Sequence, residues 1–307
     1  QAQGKEIMKR SPWVDIVVGP QSYQNLPELI SKVDPVNNNK HIDIEFPTIP
    51  KFDHLDIDIN KRNFSAFLTI QEGCDKFCTF CVVPYTRGAE YSRPITAIVE
   101  EANKLVDAGV KEITLLGQNV NAWNAVGKDK KTWGLGRLIQ ELSKIKELKF
   151  IRYTTSHPLD IDMELIEAHR DITKLMPYLH LPVQSGSDKI LQMMNRKHTA
   201  KEYIKVIEKV RDYNPQIAIS GDFIIGFPGE TDKDHKATLD LIREINYSQA
   251  YSFKYSSRPG TPAAELEDIG EEKKSSRLLR LQNLLTEQQK SFQRHMIGKS
   301  YPVLIEK

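Results

Sequence analysis

The chain has 307 residues, room for one large domain or two smaller ones around a substantial hydrophobic core. Its 43 Lys+Arg against 41 Asp+Glu leave a net charge of +2, so no global field marks it for nucleic acid and any such site must be local. With 39% hydrophobic and 27% charged residues it reads as globular, neither disordered nor fibrous. No apolar run approaches the roughly 18 residues of a membrane span. The start, Gln1-Ala2-Gln3-Gly4-Lys5, has no signal-peptide core and no initiator Met, which reads as an excised or truncated piece.

In chain order, residues 14–18 form an apolar strand-like run, followed by Gly19-Pro20 and a helical stretch through Leu29 and Ile30. One such βα unit is too small to stand alone, and residues 1–34 are expected to be the remnant of an amino-terminal domain. Residues 35–62, with Pro35, Asn37, Asn38, Asn39, Pro47 and Pro50 and no sustained periodicity, read as a linker. From residue 63 a pattern repeats. Short β-rich runs at 66–70, 112–116, 150–154, 178–183, 217–225 and 250–255 alternate with helical patterns, among them Ile98, Ala102 and Leu105 closed by Gly109. Others cover 135–145, 163–169, 203–210 and 239–245. Six strands alternating with helices imply an α/β fold with a parallel sheet, right-handed crossovers and a partial (β/α)6 barrel over residues 63–297. The loops after the strands' carboxyl ends would then build the site.

A last helix is expected over 271–296, with Leu278, Leu281, Leu285 and Phe292 on one stripe. Between Lys273 and Lys299 there are seven Lys/Arg and one acid, Glu287. This reads as a solvated helix face, with RNA phosphate contact as the sharper alternative. Tyr301-Pro302-Val303-Leu304-Ile305 is expected to begin a strand of a further small β domain at 298–307.

The chemistry is carried by Cys74, Cys78 and Cys81, the only cysteines, gathered within eight residues after the first strand run. An odd, clustered set makes no disulfide scaffold and points to a reducing compartment, expected to be the cytoplasm. Three thiolates in C-x3-C-x2-C spacing can hold three irons of a four-iron cubane and leave the fourth iron open. Phe77 and Phe80 would shield such a cluster from solvent. A structural zinc site is the alternative, but zinc takes four tetrahedral ligands, usually in two spaced pairs, and His54 and His157 are far in sequence. Gly134 and Gly136 give G-x-G without the third glycine or the preceding strand of a dinucleotide site, and no Walker-type loop occurs.

On these residues the chain resembles the radical S-adenosylmethionine (SAM) enzymes. Cys81-Val82-Val83-Pro84-Tyr85-Thr86-Arg87-Gly88 with Ser92-Arg93-Pro94 resembles their methylthiotransferase branch. Leu115-Leu116-Gly117-Gln118-Asn119-Val120-Asn121-Ala122-Trp123 and Thr154-Thr155-Ser156-His157-Pro158 are similar to the tRNA-2-methylthio-N6-dimethylallyladenosine synthase type. So are Leu179-His180-Leu181-Pro182-Val183-Gln184-Ser185-Gly186-Ser187 and the stretch from Tyr251 to Pro262.

The resemblance implies a [4Fe-4S] cluster on the three cysteines, whose open iron chelates the cofactor's methionyl amine and carboxylate. It implies methylthiolation at C2 of isopentenyl-adenosine in tRNA, with one SAM giving the methyl and a second the radical. A reductant such as a flavodoxin or ferredoxin is the implied partner, with no membrane. A second [4Fe-4S] cluster belongs to the full-length family members; no Cys precedes Cys74 here, so the chain is expected to cleave SAM but not to complete methylthiolation alone. Gln118, with Asn119, is the implied contact to the methionyl amine, Gln184 and Ser185 to the ribose, and Gly226 through Glu230 to the adenine. For Ser187 helix capping is an equal reading. Arg87 and Arg93 suit the cofactor carboxylate, RNA phosphates or plain surface cations equally. His157 and His180 read as structural. A ribosomal-protein or threonylcarbamoyl-adenosine substrate, and a non-catalytic metal-binding module of an RNA-binding protein, are the alternative functions.

Overall fold

The structure, a computed structural model, describes residues 3–33, 39–45 and 63–305. Six parallel strands carry it: β1 (Ser65–Thr69), β2 (Glu112–Leu116), β3 (Phe150–Tyr153), β4 (Tyr178–His180), β5 (Ala218–Ile225) and β6 (Gln249–Lys254). They pair in order as β1-β2-β3 and β4-β5-β6. A single parallel bridge, Ile151 to Leu175 just ahead of β4, links the two halves. The strands succeed one another in space as in sequence, and each crossover carries at least one helix. These are α1 (Ile95–Asp107), α2 (Leu135–Ser143), α3 (Met163–Asp171), α4 (Asp188–Met193) with α5 (Ala200–Tyr213), and α6 (Asp232–Ile245). The long α7 (Glu271–Met296) follows β6. The expected partial (β/α)6 arrangement is the one found.

Sequence periodicity explains the layers. In α1, Ile95, Ile98, Ala102, Leu105 and Val106 recur at helical spacing and are all buried, so one stripe faces the sheet. Burying each of its larger side chains contributes about 1.5–3 kcal/mol. In β5, Ile219, Phe223 and Ile225 are buried at a period of two and join Leu68, Ile113, Leu115, Ile151 and Leu179 in one core beneath the helices. The opposite face of the sheet is polar: the His180 ring lies 3.0 Å from Ser220 Oγ and 3.4 Å from the Asp222 carboxylate, and Arg152 pairs with Glu112 at 2.8 Å. Phe67, Tyr251 and Phe253 stand exposed on the two edge strands. Helix starts are marked as the residues predict, with capping boxes at Thr199–Glu202 and Thr231–Asp234.

Two expectations need correction. Residues 301–305 form no strand, because a strand needs a hydrogen-bonding neighbour and none is present among the described residues. Within the expected linker, His41–Asp43 is a strand that pairs in parallel with Ile16–Val18. A single apolar residue, Ile42, gives it no alternation to read. The rest of the 35–62 stretch, His54 included, falls outside the described residues apart from residues 39–45.

Candidate active site

The cysteine loop leaves the sheet directly after β1. Gln71–Glu72 pairs antiparallel with Tyr91–Ser92 and closes a loop that holds all three cysteines. Gly73 turns it with φ 76°, and a Cβ there would stand 2.0 Å from the Ala89 carbonyl oxygen. Cys74 N–H donates to Gly88 O at 3.2 Å, and Cys81 N–H to Cys78 O at 3.0 Å. Cys78 is buried and the other two are half-buried, all as free thiols. Burial pushes the Cys74 thiol up to about 11 and raises Cys81 as well. Burial outweighs the lowering effect of Arg196 on Cys81, so these thiols stay protonated until bound metal supplies the charge that a thiolate here needs. Among the described residues no group of three or more His, Cys, Asp or Glu converges on a single metal ion. A cubane makes no such demand, since its irons occupy separate corners.

The carboxyl end of β2 holds the base of this loop. Gln118 Oε1 accepts from Gly73 N–H at 2.7 Å. Fully buried Gln71 accepts from Asn119 N–H through Oε1 at 3.0 Å and donates to Gly73 O through Nε2 at 2.7 Å. Asn119 Nδ2 donates to Asp160 at 2.8 Å and to Glu90 at 3.2 Å, and Asp160 also pairs with Lys76 of the cysteine loop at 2.8 Å. Gln118 and Asn119 are therefore brought to the cysteines, though the Gln118 carbonyl oxygen already serves the loop backbone. Gln71 was not singled out by sequence reading. Its signal was its place between strand and cysteines.

The other expected residues divide. Gln184 follows β4 with φ 77°, and its buried Oε1 has no partner. Left-handed non-glycine backbone and unsatisfied buried polar atoms cluster at functional sites. Ser185 is occupied: its hydroxyl meets Thr238 Oγ1 at 3.3 Å and accepts from Ser187 N–H at 3.2 Å. Ser187 caps α4. Gly226, with φ 74°, donates its N–H to Glu230 at 2.9 Å. The Glu230 carboxylate also accepts from Arg277 of α7 at 2.9 Å, so this pair of residues ties the end of β5 to the last helix. Arg87 pairs with Glu72 at 3.1 Å, and its carbonyl accepts from Gln21 at 3.0 Å. Arg93 is buried, donating to Thr69 O and Glu101, each at 2.6 Å. Of the two aromatics expected to shield the cysteines, Phe80 joins a buried cluster with Met194, Phe227 and Tyr255. Phe77 instead lies at the surface, its ring edge-on to Tyr85 at 6.2 Å between centroids.

Sequence reading also missed the turn after α4. Thr79 N–H donates to Met194 O at 3.1 Å and its hydroxyl to Met193 O at 2.8 Å. Asn195 Nδ2 donates to Phe77 O at 2.9 Å, and Arg196 Nη1 reaches Cys78 Sγ at 3.6 Å. The Arg196 guanidinium is buried beside His157 and His198. Burial first, and its positive charge next, lower His157 to about 2 and His198 to about 4, so both rings are neutral. Buried polar atoms without partners recur on the loops after the strands, at Asn119 Oδ1, Ser156 Oγ, His157 Nε2 and Gln184 Oε1, and on the turn after α4, at Arg196 Nε and His198 Nε2. Such atoms fit a polar ligand at this end of the sheet.

A parallel six-strand α/β sheet with a three-cysteine loop after its first strand defines a cluster-binding enzyme. A model of the radical SAM superfamily matches residues 68–242, more than half of the chain, and the protein belongs to that superfamily. Its cofactors are a [4Fe-4S] cluster and S-adenosylmethionine, and the cysteine thiols and orphaned polar atoms fit them. Among similar solved structures is the radical S-adenosylmethionine methyltransferase TsrM from Kitasatospora setae, with cobalamin and a [4Fe-4S] cluster bound. It is 14% identical at a TM-score of 0.53, over 72% of this chain and 42% of that one. Coproporphyrinogen III oxidase (HemN) from Escherichia coli matches at 15% identity and a TM-score of 0.50, over 75% of this chain and 54% of that one. The cobalamin-dependent radical enzyme OxsB matches at 14% identity and a TM-score of 0.53, over 87% of this chain and 39% of that one. The likeness is one of fold, and this chain spans about half or less of each of these proteins. No helix among the described residues is long and apolar enough to cross a membrane.

Proposed function

We propose that this chain is the radical SAM core of a tRNA methylthiotransferase, acting at C2 of N6-isopentenyladenosine next to the anticodon. The observation that supports the reading is positional. The stretches that resemble methylthiotransferases, 81–88, 115–123, 154–158, 179–187 and 251–262, fall at the carboxyl ends of β1, β2, β3, β4 and β6, around the cysteine loop. In folds of this kind those ends carry the chemistry.

When bound, the cofactors supply a carbon-centred radical able to abstract hydrogen. The chain's own residues do the rest. Cys74, Cys78 and Cys81 hold the cluster, while Gln71 and Gln118 fix the loop that presents them. The free oxygens of Asn119 and Gln184 accept hydrogen bonds from a polar ligand. Exposed Tyr251 and Phe253 offer rings on which a splayed-out base can stack, the usual way a protein reads an RNA loop. A flavodoxin or ferredoxin is the proposed electron donor, and the cytoplasm the proposed location.

The test is anaerobic reconstitution with iron and sulfide, followed by assay for 5′-deoxyadenosine and for methylthiolated nucleoside. Four substrates are compared: tRNA with isopentenyl-adenosine, the same tRNA without it, threonylcarbamoyl-adenosine tRNA and ribosomal protein. Stimulation of 5′-deoxyadenosine by the isopentenylated tRNA above the other three is the expected result. Greater stimulation by another substrate would move the assignment to that branch.

A further inference from the structure

Arg196 is the one cation whose side chain reaches a cysteine sulfur among the contacts of the described residues, at 3.6 Å from Cys78 Sγ. Its side chain comes from 118 residues further along the chain and is 4% exposed. Among the described residues it has no carboxylate partner: Nη2 donates to the Pro182 carbonyl and Nε is unpaired. An unpaired buried charge is costly, of the order of several kcal/mol per ion. A fold that keeps one in place needs something negative to face it.

The backbone around Arg196 is built to hold that position. Its neighbours Asn195 and Lys197 adopt left-handed backbone at φ 58° and 57°, a strained state for non-glycine residues that clusters at functional sites. Asn195 and the Met193 and Met194 carbonyls bind the cysteine loop on both sides of Cys78, through Lys76, Phe77 and Thr79. The Arg196 N–H is itself tied back to Leu191 O at 2.9 Å. The guanidinium is thus fixed relative to the sulfur rather than resting on it by chance.

We propose that Arg196 is a positioning residue that sets the reduction potential of the cluster held by Cys74, Cys78 and Cys81, by fixing a buried permanent positive charge beside the Cys78 sulfur. Cluster potentials follow net charge, hydrogen bonds to the sulfurs and exposure, and Arg196 acts on the first two. Guanidinium stays charged at any pH the protein survives. Reduction moves one electron from the donor onto the cluster with no bond made or broken. The added negative charge is stabilised by the nearby cation, more strongly in a buried site than in water. Arg196 therefore raises the potential and makes the cluster easier to reduce.

The inference rests on the superfamily's cluster and not on the tRNA substrate, so it survives a change of substrate. The parent chain, Arg196→Lys and Arg196→Gln are reconstituted with iron and sulfide, assayed for iron, and titrated with dithionite under electron paramagnetic resonance. Arg196→Gln is expected to shift the midpoint more negative, to at least a tenfold lower reduced-to-oxidised ratio at fixed potential, about 59 mV. Arg196→Lys is expected to stay nearer the parent. If Arg196→Gln takes up no cluster while Arg196→Lys does and keeps the parent midpoint, the requirement for charge is upheld. Equal midpoints in the parent and Arg196→Gln would overturn the proposal. So would loss of the cluster in both variants, since the side chain would then only build the loop. A parent chain without a four-iron cluster would remove the cofactor reading itself, and this proposal with it.

Discussion

Arg277 and Glu230 meet at 2.9 Å with side chains only 6% and 1% exposed, joining α7 to the loop after β5. The same guanidinium donates to the Glu230 carbonyl at 2.9 Å and to Asp232 at 2.8 Å. Nearby Lys274 is buried too, its ammonium paired with Asp268. Two of the seven cations that made the last helix look basic are therefore internal fasteners and cannot face an RNA.

Removing one member of a buried pair strands the other, at a typical cost of about 3–5 kcal/mol. Arg277→Met is accordingly expected to destabilise the fold by that order. Urea denaturation of the metal-free protein measures it, and a loss below about 1 kcal/mol would show the pair to be screened.

Each of Cys74→Ala, Cys78→Ala and Cys81→Ala is expected to abolish uptake of a four-iron cluster and its absorbance while far-ultraviolet circular dichroism stays unchanged. None of the three cysteines belongs to the main hydrophobic core. Iron and sulfide analysis after reconstitution reads the outcome, and full iron in any one variant would remove that cysteine from the ligand set.

Gly73→Ala tests the turn into the loop. The new Cβ would sit 2.0 Å from a backbone carbonyl oxygen, at φ 76° where side chains are strained. The loop must shift, and cluster occupancy is expected to fall well below that of the parent with the melting temperature much less affected. Parent-level iron in the variant would count against a fixed loop.

His169 gives a pH dependence. Burial holds it near 4, and its ring lies 2.7 Å from the Tyr153 hydroxyl. The unfolded chain binds this proton near 6.5, the folded one only near 4, so stability is full above 6.5 and declines as pH falls toward 4. Between pH 7 and 5 its share of the loss is about 2 kcal/mol. Urea midpoints of the parent and His169→Asn at both pH values measure it; an equally steep acid loss in the variant would assign the effect to other groups.

The strands were legible because their buried faces write a period of two, or a short apolar run, into sequences such as Ile113-Thr114-Leu115. The strand His41–Asp43 was not, because pairing with Ile16–Val18 rather than composition makes it one. At the site, the spacing of Cys74, Cys78 and Cys81 announced the cluster, since one tight loop must bring such neighbours together.

Local spacing and periodicity, being properties of neighbouring residues, determined the alternation of strands and helices, the helix faces and the metal-binding loop of this protein. Contacts between distant residues had no such signature, and tertiary structure alone decided them. It turned Glu230 toward Arg277, filled the Ser185 hydroxyl with Thr238, left Gln184 Oε1 open, and brought Arg196 to Cys78. A polar side chain reads the same in sequence whether its partner is another residue or a ligand, and only the folded chain shows which of its atoms are already taken.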